Sequence, residues 1–170
     1  MKNIILTGFM GTGKTYIGKL LAHRLKYKYI DTDEIIEHQT GMKIKDIFEK
    51  YGETYFRDLE TKVVKKVSKL NNCVIATGGG IVLRKENMDE LEKNGFIVNL
   101  KAKPETIYKR IKNNTDRPLL NKPDPKKEIQ KLLKIRKPYY ERCNLSVETD
   151  KESPEEIIKF IINQLGVKIV

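Results

Sequence analysis

An eight-residue segment near the start of the chain constrains the fold more than any other feature. Residues 8–15, GFMGTGKT, match the phosphate-binding pattern GxxxxGK[ST] at every specified position. An apolar run at residues 4–6 precedes them, and a helical pattern at residues 16–25 follows. Such a loop binds phosphate through main-chain amides and a helix N-terminus, so it works only between a strand and a helix. The segment therefore predicts a P-loop, with a chance glycine-rich turn as the alternative.

The side chains of this segment predict contacts to a nucleotide and its metal ion. Glycines at positions 8, 11 and 13 let the chain turn tightly around an anion. Lys14 can reach the terminal phosphates, and the Thr15 hydroxyl can ligate Mg²⁺. The residues expected to bind ATP here are Gly11, Thr12, Gly13, Lys14, Thr15 and Tyr16.

Bulk composition is typical of a globular protein. The chain has 170 residues, of which 39% are hydrophobic and 34% charged, and we expect a single domain over 1–170. No apolar run approaches the roughly 20 residues that cross a bilayer, and no signal-peptide pattern opens the sequence. Two cysteines, Cys73 and Cys143, are too few for a disulfide framework. We therefore expect a cytoplasmic protein without membrane contact.

The net charge of +11 allows either nucleic acid or small anions as partners. The lysines are scattered among acidic residues, without a run of like charges or a basic and aromatic stripe. This pattern favours a solvated, lysine-rich surface that attracts anionic substrates, and it predicts no nucleic-acid binding.

Short apolar runs alternate with longer amphipathic runs along the chain, which is typical of βαβ units and a parallel sheet between helices. Gly41, Gly52 and Gly95 are expected to end helices with positive φ. The polar segment 113–125 is predicted to be a mobile lid. Strands are predicted at 3–7, 27–30, 73–76, 96–100 and 145–148, and helices at 14–25, 33–40, 44–51, 53–70, 85–93, 104–112, 126–142 and 154–165.

Two carboxylates follow the second predicted strand. Asp31 and Asp33 are two residues apart, so in an extended segment both would face one cleft beside the P-loop. One can approach Mg²⁺ through water, and the other can accept a hydrogen bond from a substrate hydroxyl. The alternative is that Asp33 only caps the next helix.

Further candidates lie later in the chain. Arg57 and Glu60 share a helix face, either as a carboxylate-binding fork with its support or as an ordinary surface ion pair. The run at residues 78–80 is three glycines, which allow close approach of a ligand or form a flexible turn. Arg117 in the predicted lid can neutralise charge on a transferred phosphoryl group. Arg136 is a second arginine, on the helix after the lid.

Together these motifs resemble those of the shikimate kinases over nearly the whole chain. The resemblance rests on residues 8–15, 31–33, 56–60, 78–80 and 117–120, and on Arg136 with Tyr140. It implies an α/β P-loop kinase fold of three layers, with a five-stranded parallel sheet flanked by helices. It also implies a substrate-binding part near 33–62 and a lid near 113–125.

This resemblance implies a reaction and a role for each site residue. The γ-phosphoryl group of ATP would pass to the 3-hydroxyl of shikimate, on the route to chorismate and the aromatic amino acids. ATP and shikimate would be the partners, with one Mg²⁺ ion at Thr15 and Asp31, and we expect a monomer. Arg110 and Pro154 would flank the adenine. The residues implied for shikimate are Asp33, Arg57, Glu60, Gly78, Gly79, Gly80 and Arg136, and those implied for catalysis are Lys14, Asp33 and Arg117.

Two other functions are compatible with parts of the sequence. Another small-molecule P-loop kinase, such as a gluconate kinase, would share the P-loop and lid but would not need the arginine pair. A basic, nucleotide-switched protein that binds nucleic acid would explain the charge, but the chain lacks a platform of stacking aromatic residues. In one departure from the family, residues 151 and 152 are lysine and glutamate, where relatives often carry an arginine near the adenine.

Overall fold

The computed structural model describes residues 2–113 and 122–166. Five parallel strands form one sheet in the order β2-β3-β1-β4-β5. This confirms the predicted α/β class and the parallel sheet. The strands are β1 (Asn3–Thr7), β2 (Lys28–Asp31), β3 (Cys73–Ala76), β4 (Gly95–Lys101) and β5 (Leu145–Glu148). The helices are α1 (Lys14–Leu25), α2 (Thr32–Thr40), α3 (Ile44–Val67), α4 (Lys85–Lys93), α5 (Pro104–Ile111), α6 (Pro125–Tyr140) and α7 (Pro154–Gln164), with a 3₁₀ turn at Ile81–Leu83.

The central strand is buried on both faces, because helices cover both sides of the sheet. All five residues of β1 are buried. Since alternate side chains point to opposite faces, Ile4 and Leu6 pack in the core beneath α1 and α7. Ile5 packs in the other core, with residues of α2 to α6 such as Phe56 and Ile107. The P-loop at the carboxyl end of β1 therefore sits on a rigid base.

Glycine marks two of the predicted helix ends, but not the third. Gly41 has φ 65°, and Gly52 has φ 82° where it interrupts the helical span Ile44–Val67. The prediction of positive φ at Gly95 is wrong, since Gly95 is the first residue of β4 and is not among the positive-φ residues. A Cβ there would lie 2.5 Å from the Leu91 carbonyl oxygen and 2.6 Å from Cγ1 of Ile5. Close approach of helix and strand explains this glycine.

Two further predictions concern the lid and the membrane. Residues 114–121, and Arg117 with them, lie outside the described residues, so the lid remains a prediction. In the part of the chain that the structure describes, no helix has both the length and the apolar character that a bilayer span requires.

Candidate active site

The P-loop connects β1 to α1 and requires its three glycines. Gly8, Gly11 and Gly13 have φ of 139°, 76° and 98°, in the region that side chains other than glycine rarely adopt. A Cβ on Gly8 would lie 2.2 Å from the Leu100 carbonyl oxygen, and one on Gly11 would lie 2.8 Å from Cγ2 of Ile111. The loop therefore has the backbone shape that the motif predicts, and its neighbours leave no room for a larger residue at Gly8 or Gly11.

Hydrogen bonds from within the loop, from α5 and from the segment after β5 hold this loop in place. The buried Thr12 hydroxyl donates to the Phe9 carbonyl at 2.8 Å, and the Thr149 hydroxyl donates to the Thr12 carbonyl at 3.0 Å. Arg110 donates to the carbonyl oxygens of Gly11 at 3.1 Å and Thr149 at 2.6 Å. Sequence reasoning missed Thr149, because nothing in the local pattern marks a threonine that reaches 137 residues back along the chain.

Among the polar side chains at the end of the P-loop, Lys14 bonds to the loop itself and Thr15 faces the space in front of it. Lys14 Nζ donates to the carbonyl oxygens of Gly8 at 2.7 Å and Phe9 at 2.9 Å. Thr15 is exposed and lines a cavity, while the Tyr16 side chain is 61% exposed and does not line that cavity. Pro154 is the first residue of α7, after the capping residue Ser153.

A cavity of about 850 Å³ lies in front of the P-loop, within the size range of small-molecule sites. It gathers residues from the ends of β2 and β3, from α3 and from α6. The cavity also has apolar walls, including Met10, Phe48, Phe56 and Leu132, which sequence reasoning did not identify as site residues. Nine predicted site residues line it: Thr15, Asp31, Asp33, Arg57, Glu60, Gly78, Gly79, Gly80 and Arg136.

The two aspartates reach this cavity by a different local structure from the predicted one. They do not share an extended segment, because α2 begins at Thr32. Asp31 is the N-cap, and its Oδ1 accepts from the backbone amides of Asp33 at 2.9 Å and Glu34 at 3.4 Å. Asp33 lies in the first turn of α2 and is not the cap. Both carboxylates line the cavity because this turn starts directly where β2 ends.

Arg57 and Glu60 form a buried ion pair, which excludes the alternative of an ordinary surface pair. Their side chains are 12% and 1% exposed, and Nη1 of Arg57 lies 2.5 Å from Oε2 of Glu60. Burial raises the pKa of the Glu60 carboxyl, and the Arg57 charge opposes that rise. Burial acts to lower the pKa of Arg57, but Glu60 and Glu53 outweigh it and raise the pKa. The pair holds the guanidinium at the cavity wall.

Glu53 is a second acidic partner of Arg57, which sequence reasoning missed. Its Oε1 accepts from Nε of Arg57 at 3.3 Å and from Nη2 at 3.2 Å. The Glu53 side chain is 62% exposed and lines the same cavity. Its spacing of four residues before Arg57 on a helix is the signal that would have found it.

Two of the three glycines after β3, Gly78 and Gly80, make room for charged side chains of the protein itself. A Cβ on Gly80 would lie 2.3 Å from both terminal nitrogens of Arg57. One on Gly78 would lie 2.7 Å from Oδ1 of Asp33 and 2.9 Å from Oε1 of Glu60.

Hydrogen bonds restrain the glycine segment 78–80, which argues against a flexible turn there. The Gly78 amide donates to Oγ1 of Thr32 at 3.1 Å, and Tyr140 donates to the Gly79 carbonyl at 2.6 Å.

Arg136 extends over the P-loop from α6. Its Cζ lies 5.6 Å from the centre of the Phe9 ring, a distance at which cation and ring attract. Among residues 2–113 and 122–166, no carboxylate lies within ion-pairing distance of Arg136. The cavity therefore contains one arginine that already binds two carboxylates and one that has no such partner in the described residues.

The donors beside the P-loop fit a magnesium ion that is held mainly by phosphate. The described residues contain no group of three or more His, Cys, Asp or Glu side chains placed to hold a metal by themselves. Thr15 and Asp31 line one cavity, and Mg²⁺ commonly binds one or two protein oxygens while waters and substrate phosphates supply the rest.

Tyr29 lies next to this pair and was not among the predicted site residues. Its hydroxyl donates to Oδ2 of Asp31 at 3.2 Å. Burial and then the Asp31 charge raise the pKa of Tyr29, so the phenol stays protonated at neutral pH and can donate.

The fold and the site together define a P-loop kinase whose acceptor cavity is lined by Arg57 and Arg136 together with several carboxylates. A family model described as shikimate kinase matches residues 10–166. The shikimate kinase of Thermodesulfovibrio yellowstonii is 48% identical over 96% of this chain and 95% of its own. That of Caldicellulosiruptor bescii is 50% identical, with the same coverage. The chain belongs to the shikimate kinase family, and it is an enzyme that phosphorylates shikimate with ATP.

Solved structures agree with this assignment. A structure of shikimate kinase from Acinetobacter baumannii in complex with shikimate superposes with a TM-score of 0.92 at 36% identity, over 97% of this chain and 93% of that one. A gluconokinase from Sinorhizobium meliloti 1021 superposes with a TM-score of 0.56 at 16% identity, over 97% of this chain and 91% of that one. The second similarity shows a shared fold alone, so gluconate kinase activity is the less supported alternative.

Proposed function

We propose that the cavity binds shikimate with its 3-hydroxyl directed at the γ-phosphate of ATP. The observation that carries this proposal is that Arg57, Arg136 and Asp33 line one cavity together with Thr15 of the P-loop. A substrate with one carboxylate and several hydroxyls needs cationic donors at one end and an acceptor at the other. The two arginines and Asp33 are of the required types, and they come from three different helices.

Arg136 is the primary partner of the substrate carboxylate. Arg136 has no carboxylate partner within the described part of the chain, whereas Arg57 binds Glu60 and Glu53. Arg57 contributes a second, rigid donor group because Glu60 holds it against Gly80. A fixed guanidinium loses little conformational freedom when the substrate arrives, which favours binding.

Asp33 is the acceptor for the ring hydroxyls and the base toward the attacking one. Its carboxylate lies against Gly78, so the glycine run brings the main chain close to the bound ring. Lys14 and the loop amides bind the phosphates, with Arg117 acting from the lid and Arg110 and Pro154 beside the adenine. Thr15 as a direct ligand and Asp31 through water would hold Mg²⁺, which would supply positive charge to neutralise the phosphates. Phosphoryl transfer needs little covalent chemistry from the protein, so positioning dominates.

Release of ADP in the presence of shikimate, gluconate or no acceptor tests the reaction, and NMR of the product identifies the phosphorylated hydroxyl. We expect turnover with shikimate only and a single product, shikimate 3-phosphate. Phosphorylation at another hydroxyl would contradict the proposed orientation.

Arg136→Met tests the carboxylate partner, with Lys137→Met as the matched control on the next, exposed residue. We expect at least about a tenfold higher KM for shikimate from the loss of a charged hydrogen bond, and no change in the control. Equal effects in both variants would argue against the role of Arg136.

We further propose that the protein acts as a cytoplasmic monomer in the biosynthesis of aromatic amino acids.

A further inference from the structure

Tyr29 contacts both Asp31 and the helix that contains Thr15. It lies in β2, the edge strand next to α1. Its hydroxyl donates to Oδ2 of Asp31 at 3.2 Å, and its ring packs against Gly18 of α1. Thr15 is the second residue of that helix.

The ring of Tyr29 is held in place by close packing on α1. A Cβ on Gly18 would lie 2.8 Å from Cε2 of Tyr29, so only glycine leaves space for the ring. Glycine is unfavourable within a helix, and the close approach of this ring accounts for its presence in α1. The Lys19 ammonium lies 5.5 Å from the ring centre on the same helix. This packing fixes the position of the hydroxyl.

Hydrogen bonds hold both oxygens of Asp31. Oδ1 accepts from two backbone amides at the start of α2, and Oδ2 accepts from Tyr29. A carboxylate has about four acceptor sites, and these three contacts leave one on Oδ2. That remaining site is the one available to a metal-bound water.

We propose that Tyr29 is a positioning residue for the magnesium site, because its hydroxyl holds the Asp31 carboxylate while its ring is packed on α1, the helix that contains Thr15. This inference rests on the proposed magnesium role of Thr15 and Asp31. The hydroxyl carries the effect, since a phenylalanine would fill the same space against Gly18.

The experiment is titration calorimetry of ADP binding to the whole protein, with saturating Mg²⁺ and with EDTA. The ratio of the two dissociation constants measures how strongly the metal promotes nucleotide binding, and it does not depend on turnover. For Tyr29→Phe we expect this ratio to fall about three- to tenfold, as for the loss of one hydrogen bond. The dissociation constant in EDTA should not change. Tyr27→Phe removes a hydroxyl from a half-buried tyrosine directly before the same strand, and there the ratio should stay at its wild-type value.

The outcomes separate this inference from the proposal beneath it. If Mg²⁺ does not promote ADP binding in the wild-type protein, the proposed metal role of Thr15 and Asp31 fails. If Mg²⁺ promotes binding equally in wild type and Tyr29→Phe, the positioning role of Tyr29 is refuted while the metal site stands. A loss of affinity that is equal with and without the metal would indicate a purely structural role and would also overturn the inference. In an Asp31→Asn background, Tyr29→Phe should have no further effect on the ratio.

Discussion

Replacing Arg57 by methionine would leave the Glu60 carboxylate buried without its partner. The Glu60 side chain is 1% exposed, and its Oε1 has no hydrogen-bond partner among the described residues. Methionine keeps most of the apolar stem of the arginine and removes only the charged group. Removing one partner of a buried pair costs about 3–5 kcal/mol. For a domain of this size that corresponds to a melting temperature lower by roughly 6–20 °C.

The dependence of this loss on pH identifies its cause. Burial already raises the pKa of Glu60 above its ordinary value of 4.5, and the loss of Arg57 raises it further. The folded state then holds a proton that the unfolded state releases, so stability falls as pH rises from the unfolded pKa to the folded one. At a pH above the folded-state pKa, each unit by which that pKa exceeds the unfolded one lowers the free energy of unfolding by about 1.4 kcal/mol. At a pH below 4.5, both states are protonated and most of the loss should disappear.

Urea unfolding at several pH values measures this effect. The chain has no tryptophan, so far-UV circular dichroism is the suitable signal. Arg57→Met should be much less stable than wild type at pH 7 and only slightly less stable at pH 4. In a Glu60→Gln background the same substitution should cost about 1 kcal/mol or less, because no charge is left unpaired. Lys85→Met, which breaks an exposed pair with Asp89, should cost less than about 1 kcal/mol. A loss for Arg57→Met that is equal at both pH values, or that persists in the Glu60→Gln background, would refute the reasoning.

Four further predictions concern turnover, substrate binding and stability. Lys14→Ala should abolish turnover, because no other side chain of the P-loop is charged and could bind the terminal phosphates. The rate of product formation in a single turnover measures this loss, and a near-normal rate would contradict the assignment. Arg57→Lys should raise the KM for shikimate, since an ammonium cannot replace the planar fork, and an unchanged KM in steady-state assays would count against the role. Glu53→Gln should lower that KM by up to about fivefold, the range of an exposed ion pair, because a competitor for the guanidinium is removed; a raised KM would mean that Glu53 orients Arg57. Gly80→Ala should raise the same KM and destabilise the fold, as its Cβ would meet the guanidinium at 2.3 Å, and wild-type values in both assays would exclude that steric conflict.

The strands and helices were predictable because each follows from a local pattern. The five apolar runs and the amphipathic runs between them lie almost where the structure has strands and helices. Gly95 shows the limit of such reasoning. Its place at the end of a helical pattern indicated positive φ, but contact with Ile5, 90 residues earlier in the chain, is the actual reason for glycine.

The site was predictable as a set of residues, and less so as a geometry. Nine of the predicted residues line one cavity, because parallel strands end at the same edge of a sheet. The helix start at Thr32 was misplaced by one residue, and the helix is capped by Asp31, whereas the sequence offered a cap only at Asp33, as an alternative. Tyr29 and Thr149 were missed, since neither a motif nor a periodicity distinguishes them from other polar residues. Glu53 was also missed, although its spacing of four residues before Arg57 on a helix could have indicated it.

By itself the amino-acid sequence determined the P-loop, the parallel sheet and the shikimate kinase family, because each depends on residue types at short spacing. Only the tertiary structure decided that Arg57 and Glu60 are buried together, and that Gly78 and Gly80 accommodate charged side chains of the protein. These features depend on distances between segments far apart in the chain. Such distances arise when helices pack on the sheet, and no local pattern encodes them.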